Sequence, residues 1–122
     1  MQTEKRDAAH LWDMLNAADN ASQFMQGVSF DNFMRERKLQ AAVEREVEII
    51  GEAARRVSER FREMHPEIQW RAIIAQRNVL AHEYGEIKQE RMWLVAAERV
   101  PDLIKKLKPL VTVFFEKQEP YL

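Results

Sequence analysis

Arginine, asparagine, histidine and tyrosine are concentrated in one short segment of this chain, residues 76–85, with the sequence QRNVLAHEYG. Arg77 offers a planar, permanently charged guanidinium that suits a phosphate group. His82 can accept and return a proton near neutral pH. Together, these two side chains could carry out phosphodiester chemistry.

The spacing of these residues limits how one helix can present them. On an ideal α-helix, Arg77 and Tyr84 lie about 20° apart around the axis, whereas His82 lies about 140° from Arg77. One face of a single straight helix therefore cannot present all three side chains. Two solutions remain open: the helix distorts near Gly85, or two copies of the segment meet across a symmetry axis and line a shared cleft.

Metal and thiol chemistry are not indicated by the sequence. The chain contains no cysteine, which excludes disulfides, thiol catalysis and Cys-based metal centres. His82 and Glu86 lie four residues apart, but one histidine and one carboxylate do not complete a His-Glu-x-x-His site. Any catalysis is therefore expected to be acid–base and electrostatic.

The composition is typical of one soluble, folded domain. The chain has 122 residues, of which 46% are hydrophobic, enough for a single core. No apolar stretch approaches the ~20 residues of a membrane span, and no signal-peptide core follows the start, so we expect a cytoplasmic protein. Because 19 basic and 20 acidic residues nearly cancel, nucleic-acid binding would need positive charge concentrated at one place.

Helical periodicity predicts an all-α fold, a bundle of four to five helices. We expect a single domain of residues 1–122, with an ordered core from about residue 3 to about residue 117. Apolar residues recur every three or four positions between Leu39 and Phe61, the best periodic signal in the chain. The expected boundaries are Thr3 and Gly27 for the first helix, Asn32 and Met64 for the second, Pro66 and Gly85 for the third, and Lys88 with an interruption at Pro101 for the remainder.

Several residues outside the segment have predicted roles. Gly51 lies inside a long helix, where glycine costs roughly 1 kcal/mol relative to alanine, and so indicates the close approach of another helix. Glu52 is a candidate for orienting Arg77 through a charge-assisted hydrogen bond. His10 and His65 are expected to be solvated. Three tryptophans are expected to be anchors of the core or of a dimer interface: Trp12, Trp70 and Trp93.

The motif resembles that of a known family. Arg77, Asn78, His82 and Tyr84 match the Arg-x4-His-x-Tyr signature of HepT-like toxins, a branch of the HEPN (higher eukaryotes and prokaryotes nucleotide-binding) superfamily. Gly85 departs from the family, in which a larger, often aromatic residue is expected. The similarity covers the chain from about residue 3 to about residue 112 and includes residues 49–53 (IIGEA), residues 70–74 (WRAII) and residues 93–103.

This resemblance implies a homodimeric, antiparallel helical bundle of the HEPN type, with both motifs lining the cleft between protomers. It implies a metal-independent RNA endonuclease in which Arg77 and His82 are the catalytic pair and Asn78 is a supporting polar residue. A workable mechanism is attack of an RNA 2′-hydroxyl on the adjacent phosphate, with acid–base catalysis by His82 and charge stabilisation by Arg77. In a dimer, the two His82 side chains could divide the acid and base roles.

The resemblance also implies a protein partner. Family members are the toxin half of a two-gene, type VII-like toxin–antitoxin module. The antitoxin is a minimal nucleotidyltransferase that transfers AMP from ATP to the motif tyrosine, here Tyr84. The chain itself needs no cofactor, because the partner uses the ATP. An AMP group two residues from His82 would add bulk and negative charge where the substrate phosphate must lie.

Two other interpretations of the motif remain open. Arg77, His82 and Tyr84 could form a structural cluster at a helix C-terminus, where basic side chains meet the helix dipole favourably. Alternatively, the same cleft could belong to a non-catalytic helical module that binds a nucleotide or a partner protein, since an arginine and a histidine that bind phosphate need not cleave it.

Overall fold

The computed structural model describes residues 2–82 and 88–116, with side chains for residues 5–77 and 88–114. Across these residues the chain forms helices and no strands, so the predicted all-α class is confirmed. The helices are α1 (Gln2–Phe24), α2 (Phe30–Arg35), α3 (Arg37–Arg56), α4 (Glu59–Met64), α5 (Trp70–His82), α6 (Gln89–Leu94) and α7 (Val100–Glu116). A π-helical turn, Val95–Arg99, joins α6 to α7.

Because α6, the π turn and α7 run without a break, the described part of the chain holds six separate helices, four of them longer than one or two turns. The expected four to five helices correspond to these four long ones. α1 packs along α3 and α7, and α3 packs along α5. The main core lies between α1, α3 and α7 and includes Leu11, Met14, Ala18, Ile50, Ala54, Leu107 and Val111.

The prediction of one helix from about Asn32 to Met64 is wrong, because this region is divided into α2, α3 and α4. The first division falls at Glu36, which ends α2 and precedes α3. There the side-chain amide of Gln40 donates a buried hydrogen bond of 2.9 Å, from Nε2 to the backbone carbonyl oxygen of Phe33. Phe33 itself is fully buried, so the break is fixed by packing and not by a helix-breaking residue.

The second division falls after Val57, where Ser58 caps α4 by accepting a hydrogen bond from the backbone N–H of Phe61. The buried carboxylate of Asp7 in α1 accepts hydrogen bonds from the Ser58 backbone N–H at 2.8 Å and from its hydroxyl at 2.7 Å. These bonds join residues 51 positions apart. They fasten α1 to the end of α3, and local periodicity cannot reveal them.

The ends of α1 and the start of α5 can be compared with the boundaries that glycine, proline and capping residues predict. α1 ends at Phe24, and Gly27, its predicted end, lies in the turn that follows with φ of +71°, a left-handed conformation that glycine adopts without a steric penalty. Thr3 is not an N-cap, since the helix already includes Gln2. Pro66 lies in a turn and does not open α5, which begins at Trp70. Gly85, the expected end of this helix, lies outside the described residues.

Pro101 was expected to interrupt the last helical region, which begins after Lys88 as predicted. The structure instead accommodates this proline directly after the π turn, in the first turn of α7. Because the helix is continuous at this point, the N–H that proline lacks would have paired with a carbonyl oxygen of the preceding turn, and the π turn there is a local change in hydrogen bonding that lets the helix continue. α7 also continues through Pro109, so neither proline ends it.

Candidate active site

α5 crosses α3 very closely at Gly51. A Cβ atom added to this buried glycine would overlap the Cβ of Arg77 and lie 2.8 Å from its Cγ and 3.1 Å from the carbonyl oxygen of Ile73. The prediction that Gly51 marks the close approach of another helix is therefore confirmed. The glycine allows α5 to lie against α3 with Arg77 at the point of contact.

Glu52, the next residue of α3, forms an ion pair with Arg77. Their Oε2 and Nη2 atoms lie 2.7 Å apart, and each side chain is about three-quarters buried, with 29% and 23% of its surface exposed. At this distance the two opposite charges attract and hold the guanidinium beside the carboxylate, as an ion pair in which Glu52 Oε2 accepts no hydrogen bond of good geometry. The expected pairing of Glu52 with Arg77 is therefore present, and its contribution to catalysis stays a prediction.

Glu52 also pairs with two arginines of its own helix. Its Oε1 atom accepts hydrogen bonds of 3.1 Å from Arg55 Nη2 and from Arg56 Nε. Three guanidinium groups therefore surround one carboxylate, which leaves a local excess of positive charge in a chain whose net charge is −1.

The ionisation of Glu52 follows from these contacts. The hydrogen bond from Arg55 lowers the pKa of Glu52 below its usual 4.5, and the opposing effect of burial does not cancel this shift. The ion pairs are thus fully formed above the usual pKa and are lost only as the pH falls through the lowered value. Between about pH 5 and pH 9, Glu52 stays charged, and changes of activity in that range must come from other groups.

Arg77 and Glu52 line a cleft of about 460 Å³ between α1, α3 and α5, which we call the arginine cleft. α1 contributes His10 and Asp13 to its wall. The other lining residues are Arg45, Glu48, Ile49, Glu52, Ala53 and Arg56 from α3 and Arg77 from α5. Arg45 pairs with Glu48 at 3.0 Å. The cleft is therefore polar and carries both signs of charge.

Sequence reasoning missed the position of His10. It was expected to be solvated on the polar face of α1, but the structure places it half-buried in the wall of the arginine cleft. His65, the other histidine with a described side chain, lies outside this cleft and contacts Glu67 at 3.2 Å. No sequence pattern links His10 to Arg77, because their proximity depends on the packing of both α1 and α5 against α3.

The rest of the motif is described only in part. Asn78 and His82 belong to α5, but their side chains lie outside the described residues, and Tyr84 lies outside them entirely. The backbone of α5 stays helical through His82. Positions 77 and 82 therefore lie about 140° apart around the helix axis, on different faces of α5. The catalytic role of Arg77 and His82 stays a prediction.

The tryptophans divide between core and surface. Trp70 is buried and its Nε1 donates a hydrogen bond of 2.9 Å to the carbonyl oxygen of His65. Trp93 packs against Phe30 and Phe33, with ring centroids 5.6 and 5.8 Å away. Trp12 is 49% exposed, so it does not anchor the core. A place for Trp12 in a dimer interface stays a prediction.

Two features are absent from the described residues, a membrane-spanning helix and a cluster of metal-binding side chains. None of the helices in residues 2–82 and 88–116 combines the length and the apolar character that crossing a membrane requires. Across the same part of the chain, no group of three or more His, Asp or Glu residues is arranged to hold a metal ion.

Comparison with known sequences identifies the class of protein to which this helical bundle belongs. The model of the HepT-like ribonuclease family matches residues 14–110. The chain therefore belongs to the HepT-like ribonuclease family. No solved structure matches it significantly.

Three relatives illustrate this membership. A "Putative RNase" of Methanocaldococcus jannaschii is 35% identical over 104 residues, which cover 84% of this chain and 95% of that protein. A protein named "Probable ribonuclease HepT" from Thermococcus cleftensis is 34% identical over 101 residues, 83% of this chain and 92% of that one. A "Putative RNase" of Caldanaerobacter subterraneus subsp. tengcongensis is 30% identical over 107 residues, with shares of 88% and 96%.

Proposed function

We propose that this protein is a metal-independent RNA endonuclease whose catalytic pair is Arg77 and His82. The observation that carries the proposal is the position of Arg77, a guanidinium held at 2.7 Å by Glu52 at the wall of an open cleft. Because Glu52 is shared with Arg55 and Arg56, it orients Arg77 without cancelling the positive charge around it. A phosphate entering the cleft would meet a guanidinium that is already oriented.

The proposed reaction is a transfer within the RNA backbone. The 2′-oxygen attacks the adjacent phosphorus, the O2′–P bond forms, and the bond from phosphorus to the 5′-oxygen breaks. A general base takes the 2′-hydroxyl proton and a general acid protonates the departing 5′-oxygen; His82 fills one of these roles. Arg77 stabilises the extra negative charge on the phosphoryl oxygens in the transition state. Asn78 is the accompanying polar residue.

We propose that the protein acts as a homodimer with both motifs lining one cleft. The placement of positions 77 and 82 on different faces of α5 supports this proposal, because one straight helix cannot turn both residues toward the same phosphate. Across a two-fold axis, His82 of one protomer could approach the phosphate that Arg77 of the other protomer binds.

The test of the proposed function uses purified protein and a short RNA in buffer containing excess EDTA. We expect cleavage that leaves a 2′,3′-cyclic phosphate and a 5′-hydroxyl, and no cleavage of a matched oligonucleotide with 2′-deoxyribose throughout. Cleavage of the deoxy substrate, or cleavage abolished by EDTA, would contradict the mechanism. Tight binding of the RNA with no cleavage would instead support the non-catalytic binding module.

We further propose that the protein is the toxin of a type VII-like module whose antitoxin, a minimal nucleotidyltransferase, transfers AMP to Tyr84. An AMP group adds a phosphate beside the catalytic segment, and this negative charge would repel the RNA backbone. Incubation with the partner and ATP is expected to add one AMP mass to the peptide containing Tyr84 and to abolish RNA cleavage.

Tyr84→Phe provides the matched control for modification. This variant should keep RNA cleavage if the hydroxyl is only the acceptor of AMP, and it should resist inhibition by the partner and ATP. Inhibition of the wild-type protein with Tyr84 unmodified would favour simple masking of the cleft by the bound partner.

A further inference from the structure

We propose that His10 is a second acid–base residue of the cleavage reaction and protonates the departing 5′-oxygen from within the arginine cleft. This inference rests on the ribonuclease function proposed above. His10 and Arg77 line the same 460 Å³ cleft of one protomer, from α1 and α5 respectively. A phosphate bound by Arg77 therefore has an imidazole in the wall of the same open cleft.

The size and exposure of the cleft suit such a role. Its volume falls within the usual 300–1,000 Å³ of small-molecule sites, so a ribose with its phosphate can enter. His10 is half-buried, which leaves part of the ring accessible to a molecule in the cleft. Of the two histidines whose side chains are described, His10 lies in this cleft and His65 does not.

The reaction needs two proton-transfer groups, and α5 cannot place His82 beside Arg77 on one face. Attack and departure occur on opposite sides of the phosphorus, so the base and the acid must approach from different directions. α1 and α5 both pack against α3, and they present His10 and Arg77 to one cleft from different elements. In this scheme His82 takes the proton of the 2′-hydroxyl, and imidazolium His10 gives its proton to the 5′-oxygen.

The charges around His10 are compatible with a proton donor. The arginines that share the cleft are already paired with carboxylates, Arg45 with Glu48 and both Arg56 and Arg77 with Glu52. Asp13 stands three residues after His10 on the same face of α1. The charged groups facing His10 are thus Asp13 from α1, Arg45, Glu48, Glu52 and Arg56 from α3, and Arg77 from α5.

The experiment compares two RNA substrates that differ in the leaving atom. One has the natural 5′-oxygen at the cleavage site, and the other has a 5′-sulfur, which departs as a thiolate and needs no general acid. We expect His10→Gln to lower cleavage of the natural RNA by about 10²-fold or more and to leave cleavage of the sulfur substrate within about threefold of wild type. His65→Gln is the matched control and should cleave both substrates normally.

The other outcomes separate this inference from the proposed function. If His10→Gln slows both substrates equally, or slows neither, His10 is not the general acid. If the wild-type protein cleaves and Arg77→Ala does not, while His10→Gln cleaves both substrates at full rate, the ribonuclease proposal stands and the His10 proposal fails. If the wild-type protein cleaves neither substrate, both proposals fail. Thermal unfolding of each variant excludes loss of the fold as the cause.

Discussion

Replacing Arg77 with alanine is expected to lower kcat for RNA cleavage by about 10²- to 10³-fold, the effect of removing one preorganised donor from a developing oxyanion. The fold should tolerate this change. Alanine keeps the Cβ atom that lies against Gly51, and Glu52 retains Arg55 and Arg56 as partners. The buried Oε2 atom of Glu52 loses the guanidinium beside it, so the free energy of unfolding should fall by about 1–3 kcal/mol.

Single-turnover cleavage at saturating protein separates the chemical step from RNA binding in this comparison. Arg77→Lys should be intermediate, since lysine keeps the charge but lacks the planar fork that can hold two phosphate oxygens and Glu52 together. Arg71→Ala, an exposed position of the same helix outside the arginine cleft, is the matched control and should cleave at nearly the wild-type rate. Equal losses for Arg71→Ala and Arg77→Ala would show a general effect of charge and would contradict a specific role for Arg77.

The helices were predictable from the sequence where the information is local. The apolar stripe of α3 and the turn at Gly27 that follows α1 both depend on neighbouring residues; the stripe was predicted correctly, and the end of α1 was predicted a few residues too late. The breaks at Glu36 and Ser58 were not predicted. They depend on the buried bond from Gln40 to Phe33 and on the bonds from Ser58 to Asp7 across the fold, which tertiary packing selects over a continuous helix.

The residues of the candidate site were likewise predictable only where the information is local in the sequence. Gly51 was noticed because a glycine inside a helix is costly, and Glu52 because it lies in the IIGEA stretch that resembles the family. His10 was misjudged, because the polar face of α1 becomes the wall of a cleft only when α1 and α5 pack on α3. Three arginines gather around Glu52 within one protomer, and the further concentration of positive charge by pairing two protomers stays a prediction.

Gly51→Ala is expected to destabilise the protein by about 1–3 kcal/mol, the usual cost of overpacking a well-packed contact. Helix propensity alone predicts the opposite sign, a gain of roughly 1 kcal/mol from replacing a helical glycine with alanine. The added Cβ would overlap the Cβ of Arg77, so α5 must move away from α3. Since Arg77 lies at the contact, its guanidinium moves too, and a displacement near 1 Å can cost about 10²-fold in rate.

A double-mutant cycle tests whether contact with the Arg77 side chain is the reason why Gly51→Ala destabilises the protein. Arg77→Gly removes the Cβ and Cγ atoms that the alanine would meet, so the pair Gly51→Ala with Arg77→Gly should be more stable than the sum of the single variants predicts. Cleavage by the pair should stay as slow as that of Arg77→Gly alone, because the guanidinium is gone. Ala41→Gly at an exposed position of α3 measures the propensity effect in the same helix. Additive changes in the free energy of unfolding would show that the two helices are not in contact at Gly51 and Arg77.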